Sequence, residues 1–174
     1  MSNLLTQSEI LAPGEIIHSL IETLCGPDAT KRQSTRKALV ALGKAAVNPL
    51  IDLLSDARPH VRWEAAKALG KIGDPASAPT LVEALEDEES NVRWLAAVAL
   101  AAMKHKGLMP LLSALVRHPD SIWLRDAAHH ICRELMREGS FREIVPLIKT
   151  LERPDPEVSV PVAVYDVMRA LYSS

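Results

Sequence analysis

Residues 61–69 read Val-Arg-Trp-Glu-Ala-Ala-Lys-Ala-Leu, and residues 92–100 read Val-Arg-Trp-Leu-Ala-Ala-Val-Ala-Leu. The second segment repeats the first at an offset of 31 residues, and a weaker copy begins at Leu124, a further 32 residues along the chain. Self-similarity at a fixed period of this length is typical of stacked-repeat proteins. The sequence therefore predicts an array of similar structural units.

The repeated segment has the apolar periodicity of a helix. From Val61, apolar residues recur at i, i+4, i+7, i+8 and i+11, which is one face of a 3.6-residue helix. The same spacing begins again at Val92, Leu124 and Val160, and a degenerate copy lies at 38–42. This segment is therefore predicted to be the second helix of each unit.

A shorter apolar segment with a proline near its start precedes each strong copy, as at Pro49, Pro79, Pro110 and Pro146. Proline is tolerated in the first turn of a helix, so these segments are predicted first helices. The predicted hairpins cover about 14–43, 46–73, 76–105, 107–137 and 140–172, and residues 1–13 form an N-terminal extension. Because one hairpin cannot bury both of its apolar stripes, the predicted fold is an all-α solenoid of about five antiparallel hairpins in one domain, 14–174.

The composition agrees with thin helical layers. Of the 174 residues, 48% are hydrophobic but only 3% are aromatic, and Ala and Leu dominate. A disordered chain would carry fewer apolar residues, and a β-sandwich would carry more β-branched and aromatic ones. Both of these classes are disfavoured.

Charge and cysteine content narrow the partner and the compartment. The net charge of −2 disfavours a nucleic-acid partner, which usually requires a basic excess. The cysteines, Cys25 and Cys132, are too few for a disulfide scaffold. The N-terminus does not read as a signal peptide, and no uninterrupted apolar run approaches about 18 residues. The expected location is cytoplasmic, with no membrane span.

Residues 61–74, Val-Arg-Trp-Glu-Ala-Ala-Lys-Ala-Leu-Gly-Lys-Ile-Gly-Asp, resemble the HEAT repeat of the short, phycobilin-lyase-like type. The pattern of that type is roughly V-R-x-x-A-A-x-A-L-G-x-I-G-D. Units two and three match it strongly, unit four matches moderately, and units one and five match through periodicity. The resemblance implies that first helices lie on the convex face of the solenoid and second helices line its concave face.

An arginine follows the first core residue in three successive second helices, and an aspartate lies in each of three intra-unit turns. The arginines are Arg62, Arg93 and Arg125, and the aspartates are Asp56, Asp87 and Asp120. Arginine suits bidentate contact with carboxylates. We predict a structural ladder in which each arginine meets a turn carboxylate of its own or a neighbouring unit, and an anion-binding row is the alternative.

Trp63 and Trp94 occupy the same repeat position, outside the core stripe. Each ring either packs over a neighbouring helix or forms an exposed anchor, since Trp is enriched at binding hot spots. Both descriptions hold if the rings are half covered.

The repeat frame assigns further residues to the concave face, which is predicted to run from basic in unit one, through apolar, to acidic in units four and five. The residues predicted to bind a partner are Trp63, Lys67, Lys71, Trp94, Leu95, Val98 and His130. The frame also places Glu64, Ala102, Val162, Ala163, Asp166 and Ala170 on this face. In unit three the face is entirely apolar, and an exposed apolar patch usually marks an interface.

No catalytic constellation, cofactor motif or metal site is predicted. The sequence lacks a G-x-S-x-G motif, a Gly-rich phosphate loop and H-E-x-x-H. His129, His130 and Cys132 are of metal-binding types, but adjacent histidines diverge by about 100° on a helix and Cys132 belongs to the core stripe. No His-Glu step is present, so the resemblance does not extend to the iron ligands of deoxyhypusine hydroxylase.

The leading functional prediction is a protein–protein interaction module or adaptor that binds another protein on its concave face. The runner-up is a subunit or relative of a phycobilin chromophore lyase, which rests on the repeat type alone. A chaperone-like assembly helper is a third candidate. The unit-three patch would serve a homodimer as well as a foreign partner.

Overall fold

The computed structural model describes residues 12–137, 139 and 142–172, and these residues form ten α-helices joined by turns and short 3-10 segments. The helices are α1 Pro13–Leu24, α2 Ala29–Leu42, α3 Val47–Asp52, α4 Pro59–Ile72, α5 Ala78–Glu83, α6 Ser90–Ala102, α7 His105–Arg117, α8 Ile122–Arg137, α9 Val145–Leu151 and α10 Pro156–Tyr172. The N-terminal extension at 1–13 falls almost wholly outside the described residues.

Local sequence signals fix where the helices begin and end. Pro59 occupies the first turn of α4, where its missing N–H is not needed. The Asp28 side chain caps α2 by accepting hydrogen bonds from the backbone N–H groups of Thr30 and Lys31. Gly73 ends α4 with φ of 69°, a left-handed conformation that favours glycine.

Small residues let successive second helices approach closely. Ala65, Ala96 and Ala128 are all fully buried in α4, α6 and α8. A Cβ atom added to Gly70 would lie 3.0 Å from the Cβ of Ala99, so α4 and α6 are almost in backbone contact there. The core is therefore a series of thin aliphatic layers, and the predicted all-α solenoid is confirmed.

The first four hairpins stack in two layers. The second helices form one layer, in which α4 packs between α2 and α6, and α6 packs on α8. On the other side, α5 packs on α7. Second-helix side chains that point out of their layer therefore share one continuous face.

The fifth hairpin is inverted relative to this arrangement. Its first helix, α9, packs on α8, and its second helix, α10, packs on α7. An Nη1 atom of Arg125 donates to the carbonyl oxygen of Leu151 at 3.4 Å, and His129 Nε2 lies 2.9 Å from Glu152 Oε1. The beginning of α8 therefore contacts the end of α9, and the two helices are antiparallel neighbours.

This inversion corrects the sequence-based frame for unit five. Because α10 lies beside the first-helix layer, its residues do not extend the face formed by the second helices. The prediction that Val162, Ala163, Asp166 and Ala170 lie on that face is wrong, and Ala163 is also buried. The segment 138–141, between α8 and α9, is longer than the other links between units, which allows the change of layer.

One helical stretch of the described chain, Ala29–Ser55, is long and apolar enough by length and composition to cross a membrane. It comprises α2, α3 and their 3-10 extensions rather than one straight helix, because Gly43 departs from helical geometry at φ 58° and ψ −127°. Leu39, Val47 and Leu50 are buried between neighbouring units. The apolar side chains of this stretch are therefore used in stacking units one and two.

Candidate functional site

A groove runs between α4 and α6 on the outer face of the second-helix layer. Its volume is about 350 Å³. Its lining consists of Trp63, Ala66, Lys67, Gly70, Lys71, Trp94, Leu95, Val98, Ala99 and Ala102. Six of the seven residues predicted to bind a partner therefore line one depression, which we call the α4–α6 groove.

The two equivalent tryptophans have different environments. Trp63 is half-buried against the core, with the guanidinium of Arg36 at 5.6 Å and the ammonium of Lys67 at 4.2 Å over its ring. Trp94 is 59% exposed. Cation–π contacts hold the first ring in place, whereas the second ring is available to a partner. The packing description thus suits Trp63, and the anchor description suits Trp94.

Two residues assigned to the exposed face are buried. Leu95 is only 8% exposed and Glu64 only 4%. They share the repeat position three residues after the first core residue, on the side of the second helix that faces the preceding unit. At this position Leu95 lies deep in the lining of the α4–α6 groove, and Glu64 forms ion pairs with Arg36 and Arg32 of unit one.

Lysines give the groove a positive rim. Lys71 is exposed, Lys67 is half-buried against Trp63, and the described residues that line the groove include no carboxylate. Val98 is 39% exposed and forms the opposite wall. The groove therefore combines apolar walls with positive charge. His130, the remaining predicted contact, is exposed on α8 but does not line the groove.

Arg62 makes the carboxylate contact predicted for the ladder. Its Nε and Nη2 atoms donate to the two carboxylate oxygens of Asp87 at 2.7 and 2.9 Å, and Nη2 also donates to Glu88. Nη1 donates to the backbone carbonyls of Asp56 and Ala57. One buried guanidinium therefore joins the turn of unit two to the turn of unit three, and the Asp87 carboxylate raises the pKa of Arg62.

The other two predicted arginines make different contacts. Arg93 donates to the backbone carbonyls of Asp87 and Glu88, and its guanidinium lies 3.8 Å over the ring of Trp123. The Arg125 contact is with a carbonyl oxygen at the end of α9. The predicted carboxylate ladder is therefore wrong at these two positions, where the next unit presents an aromatic ring or an inverted helix. Within the described chain, Asp120 joins neither arginine.

A fourth arginine has the same role but escaped the sequence-based pattern. Arg32 donates through Nη1 to the backbone carbonyls of Gly26 and Pro27, six and five residues before it. Arg62 and Arg93 use the carbonyls at these same two spacings. The shared function is thus to bind the turn carbonyls of each unit. Arg32 lies 30 residues before Arg62, so the repeat period was the available signal.

The turn aspartates mainly cap second helices. Asp56 Oδ1 accepts from the backbone N–H of Arg58 at 2.9 Å, and Asp87 Oδ1 accepts from that of Glu89 at 2.8 Å. Hydrogen bonds from the Arg58 side chain lower the pKa of Asp56 to about 2. Because this pKa is below the unfolded value of about 3.9, the stabilisation is complete above that value and is lost as the pH falls towards 2.

The residues of metal-binding type do not converge. Cys132 is fully buried, and burial raises the pKa of its thiol to about 12. His129 lies against Glu152, while His130 is exposed to solvent. Over the described ranges, no group of three or more His, Cys, Asp or Glu side chains is placed to hold a metal ion.

Comparison with known proteins identifies the repeat type. A family model for HEAT repeats matches residues 17–101 and 78–160 of this chain. These overlapping segments include all four second helices of the stacked layers and the beginning of α10. A comparison with curated proteins found no match.

Solved structures share the helical-repeat architecture. A chain from the complex of CpcE and CpcF of phycocyanin lyase from Nostoc sp. PCC7120 has 22% identity and a TM-score of 0.60, with 89% of this chain and 99% of that chain covered. An engineered protein has 18% identity and a TM-score of 0.45, covering 91% and 80%. A computationally designed armadillo repeat protein for modular peptide recognition has 20% identity and a TM-score of 0.45, covering 87% and 80%. The likeness to the phycocyanin lyase chain shows a shared fold.

Proposed function

The chain belongs to the HEAT-repeat family, and from that premise we propose that it is a protein-interaction module whose partner binds in the α4–α6 groove. Helical solenoids commonly bind other proteins on the extended surface of one helical layer. The groove lies in such a layer, and its floor and walls are rigid second helices. The function proposed is binding, with the solenoid as the scaffold.

The observation that carries this proposal is Trp94, a large apolar side chain that is 59% exposed beside a depression lined by aliphatic residues. Trp is enriched among residues that dominate binding energies, and such residues usually fit apolar pockets. Val98 and Leu95 supply apolar surface next to its ring. Lys67 and Lys71 favour a partner segment that presents an apolar side chain flanked by carboxylates.

Combined replacement of Trp94→Ala and Val98→Ser is expected to weaken partner binding by about 30-fold or more, as expected for removal of a hot spot of about 2 kcal/mol. The partner is first identified by affinity purification from the native organism, and its affinity for wild-type and variant chains is then measured by titration calorimetry. Both side chains are substantially exposed, so thermal unfolding should change little. Leu95 is left intact because it is buried.

The matched control is Val116→Ser on α7. Val116 is 44% exposed, close to the 39% of Val98, but belongs to the first-helix layer. Its replacement should leave the affinity unchanged. If the groove variant binds normally while folded, or if the control loses binding to the same extent, the partner is held elsewhere on the solenoid.

A second candidate is the handling of a bilin chromophore, as a subunit or relative of a phycobilin lyase. Its support is the shared fold with a chain of the phycocyanin lyase complex. A bilin is an extended conjugated molecule with carboxylate groups, and the α4–α6 groove offers aromatic rings together with Lys67 and Lys71. Mixing the protein with free bilin and recording visible absorbance separates the candidates. A spectral change abolished by Trp94→Ala would favour this second function.

A further inference from the structure

Helix α10 has an apolar face that the array does not use. Val158, Val162, Tyr165 and Tyr172 are between 59% and 76% exposed. With Arg169 they are spaced alternately by four and three residues, which is the spacing of a helix-packing seam. We call these five residues the α10 seam.

The opposite side of α10 already forms the core contact of the fifth hairpin. Val160, Val164 and Val167 are buried, and they pack α10 onto α7 and α9. The helix is thus apolar on two sides, a pattern typical of a helix that is covered all round. One of those two sides lacks a cover among the described residues.

The α10 seam is separate from the α4–α6 groove. The inverted hairpin places α10 beside α7 in the first-helix layer, whereas the groove opens on the second-helix layer. Tyr165 and Arg169 take the repeat positions held by Ala66 and Gly70 in unit two. Gly70 allows close approach to the next helix there, so the bulky side chains of α10 are unsuited to stacking another repeat in the same manner.

We propose that the α10 seam binds the same seam of a second copy of this chain, with the two helices antiparallel. The alternating spacing fits a helix as the occupant. In the antiparallel pair, Val162 of each copy packs against Tyr165 of the other, and Val158 packs against the aliphatic part of Arg169. The two-fold axis then passes near the middle of the helix, so both copies present the same surface.

The charges along the helix support this orientation. Asp155 and Glu157 lie at the N-terminal end of α10, and Arg169 lies in its last turn. An antiparallel pair brings Arg169 of one copy to the acidic end of the other, twice by symmetry. A parallel pair would place the like-charged ends side by side. Charge complementarity therefore selects the antiparallel arrangement.

The association should be weak, because a single pair of helices about 25 Å long buries less surface than a standard stable interface. Sedimentation velocity of the full chain, over a concentration series reaching about 0.5 mM, is expected to show a reversible monomer–dimer equilibrium. A single monomeric species throughout the series would overturn the proposal.

Variants locate the contact. Val162→Ser combined with Tyr165→Ser should weaken dimerisation at least tenfold without lowering the thermal transition, since both side chains are exposed. Arg169→Glu should also weaken it, and adding Glu157→Arg should restore at least half of the dimer by reversing both charges.

The control is Trp94→Ser, which removes the exposed ring of the α4–α6 groove and should leave the dimer intact. A dimer that survives both seam variants, or one that is lost only in the Trp94 variant, would show that copies associate through another face. Loss of partner binding in the groove variants leaves this test unaffected, so failures of the two proposals are distinguishable.

Discussion

The substitution Gly107→Ala is expected to destabilise the fold by about 3 kcal/mol or more, near the upper end of typical overpacking effects. A Cβ atom at this position would lie 2.1 Å from the carbonyl oxygen of Leu100 and 2.8 Å from its carbonyl carbon. Both are backbone atoms of α6, so relief requires α7 to move away from α6. Urea denaturation followed by circular dichroism measures the loss as a lower midpoint.

The matched control is Gly14→Ala in α1. A Cβ atom there would meet no heavy atom within 4 Å, and alanine favours a helix over glycine by up to about 1 kcal/mol. This variant should be as stable as the wild type or slightly more so. A loss below about 1 kcal/mol for Gly107→Ala would contradict the close crossing of α6 and α7.

The substitution Arg62→Met is expected to cost about 3 kcal/mol, because removing one partner of a buried ion pair leaves the other unpaired. The side chains of Arg62 and Asp87 are only 8% and 6% exposed. The guanidinium also satisfies the carbonyls of Asp56 and Ala57, which lose that donor. Arg62→Lys should recover less than half of the loss, since an ammonium cannot span both carboxylate oxygens and the turn carbonyls.

Arg137→Ala provides the comparison for this second prediction. Arg137 pairs with Glu134, but its side chain is 77% exposed. Exposed pairs of this kind contribute at most about 1 kcal/mol. Equal denaturation midpoints for Arg62→Met and Arg137→Ala would show that the inter-unit bridge does not hold units two and three together.

The repeat period made the fold predictable from sequence. Stacked units depend on contacts between near neighbours in the chain, so the same apolar spacing recurs wherever the same packing recurs. Ala65 and Ala96 occur at equivalent positions because both helices must approach a neighbour closely. The resemblance of residues 61–74 to the HEAT repeat followed from the same regularity, and the family comparison confirms it.

Individual side chains were less predictable because the periodic frame treats each helix as if only one side were covered. Leu95 and Glu64 are buried by the preceding unit, which lies to one side of the core stripe. Their burial depends on how closely two units stack, and that distance is set by small residues on the neighbouring helix. The frame therefore located the groove but misassigned its deepest residues.

The inversion of the fifth hairpin had no signal in the periodicity. The spacing from Val160 onwards matches that of the other second helices, so α10 looked like a fifth member of their layer. The layer that a hairpin joins depends on the path of the preceding connection, not on the apolar stripe itself. A frame based on side-chain spacing is blind to that choice, and Val162 was misplaced for this reason.

Site-specific photo-crosslinking tests the proposed interaction surface most directly. A benzophenone amino acid is incorporated in the native host in place of Trp94 in the α4–α6 groove, and separately in place of Val116 on α7. After irradiation, we expect a single covalent adduct with the partner from position 94 and none from position 116. An adduct with that partner from position 116 but not from position 94 would contradict the assignment of the groove as the binding site.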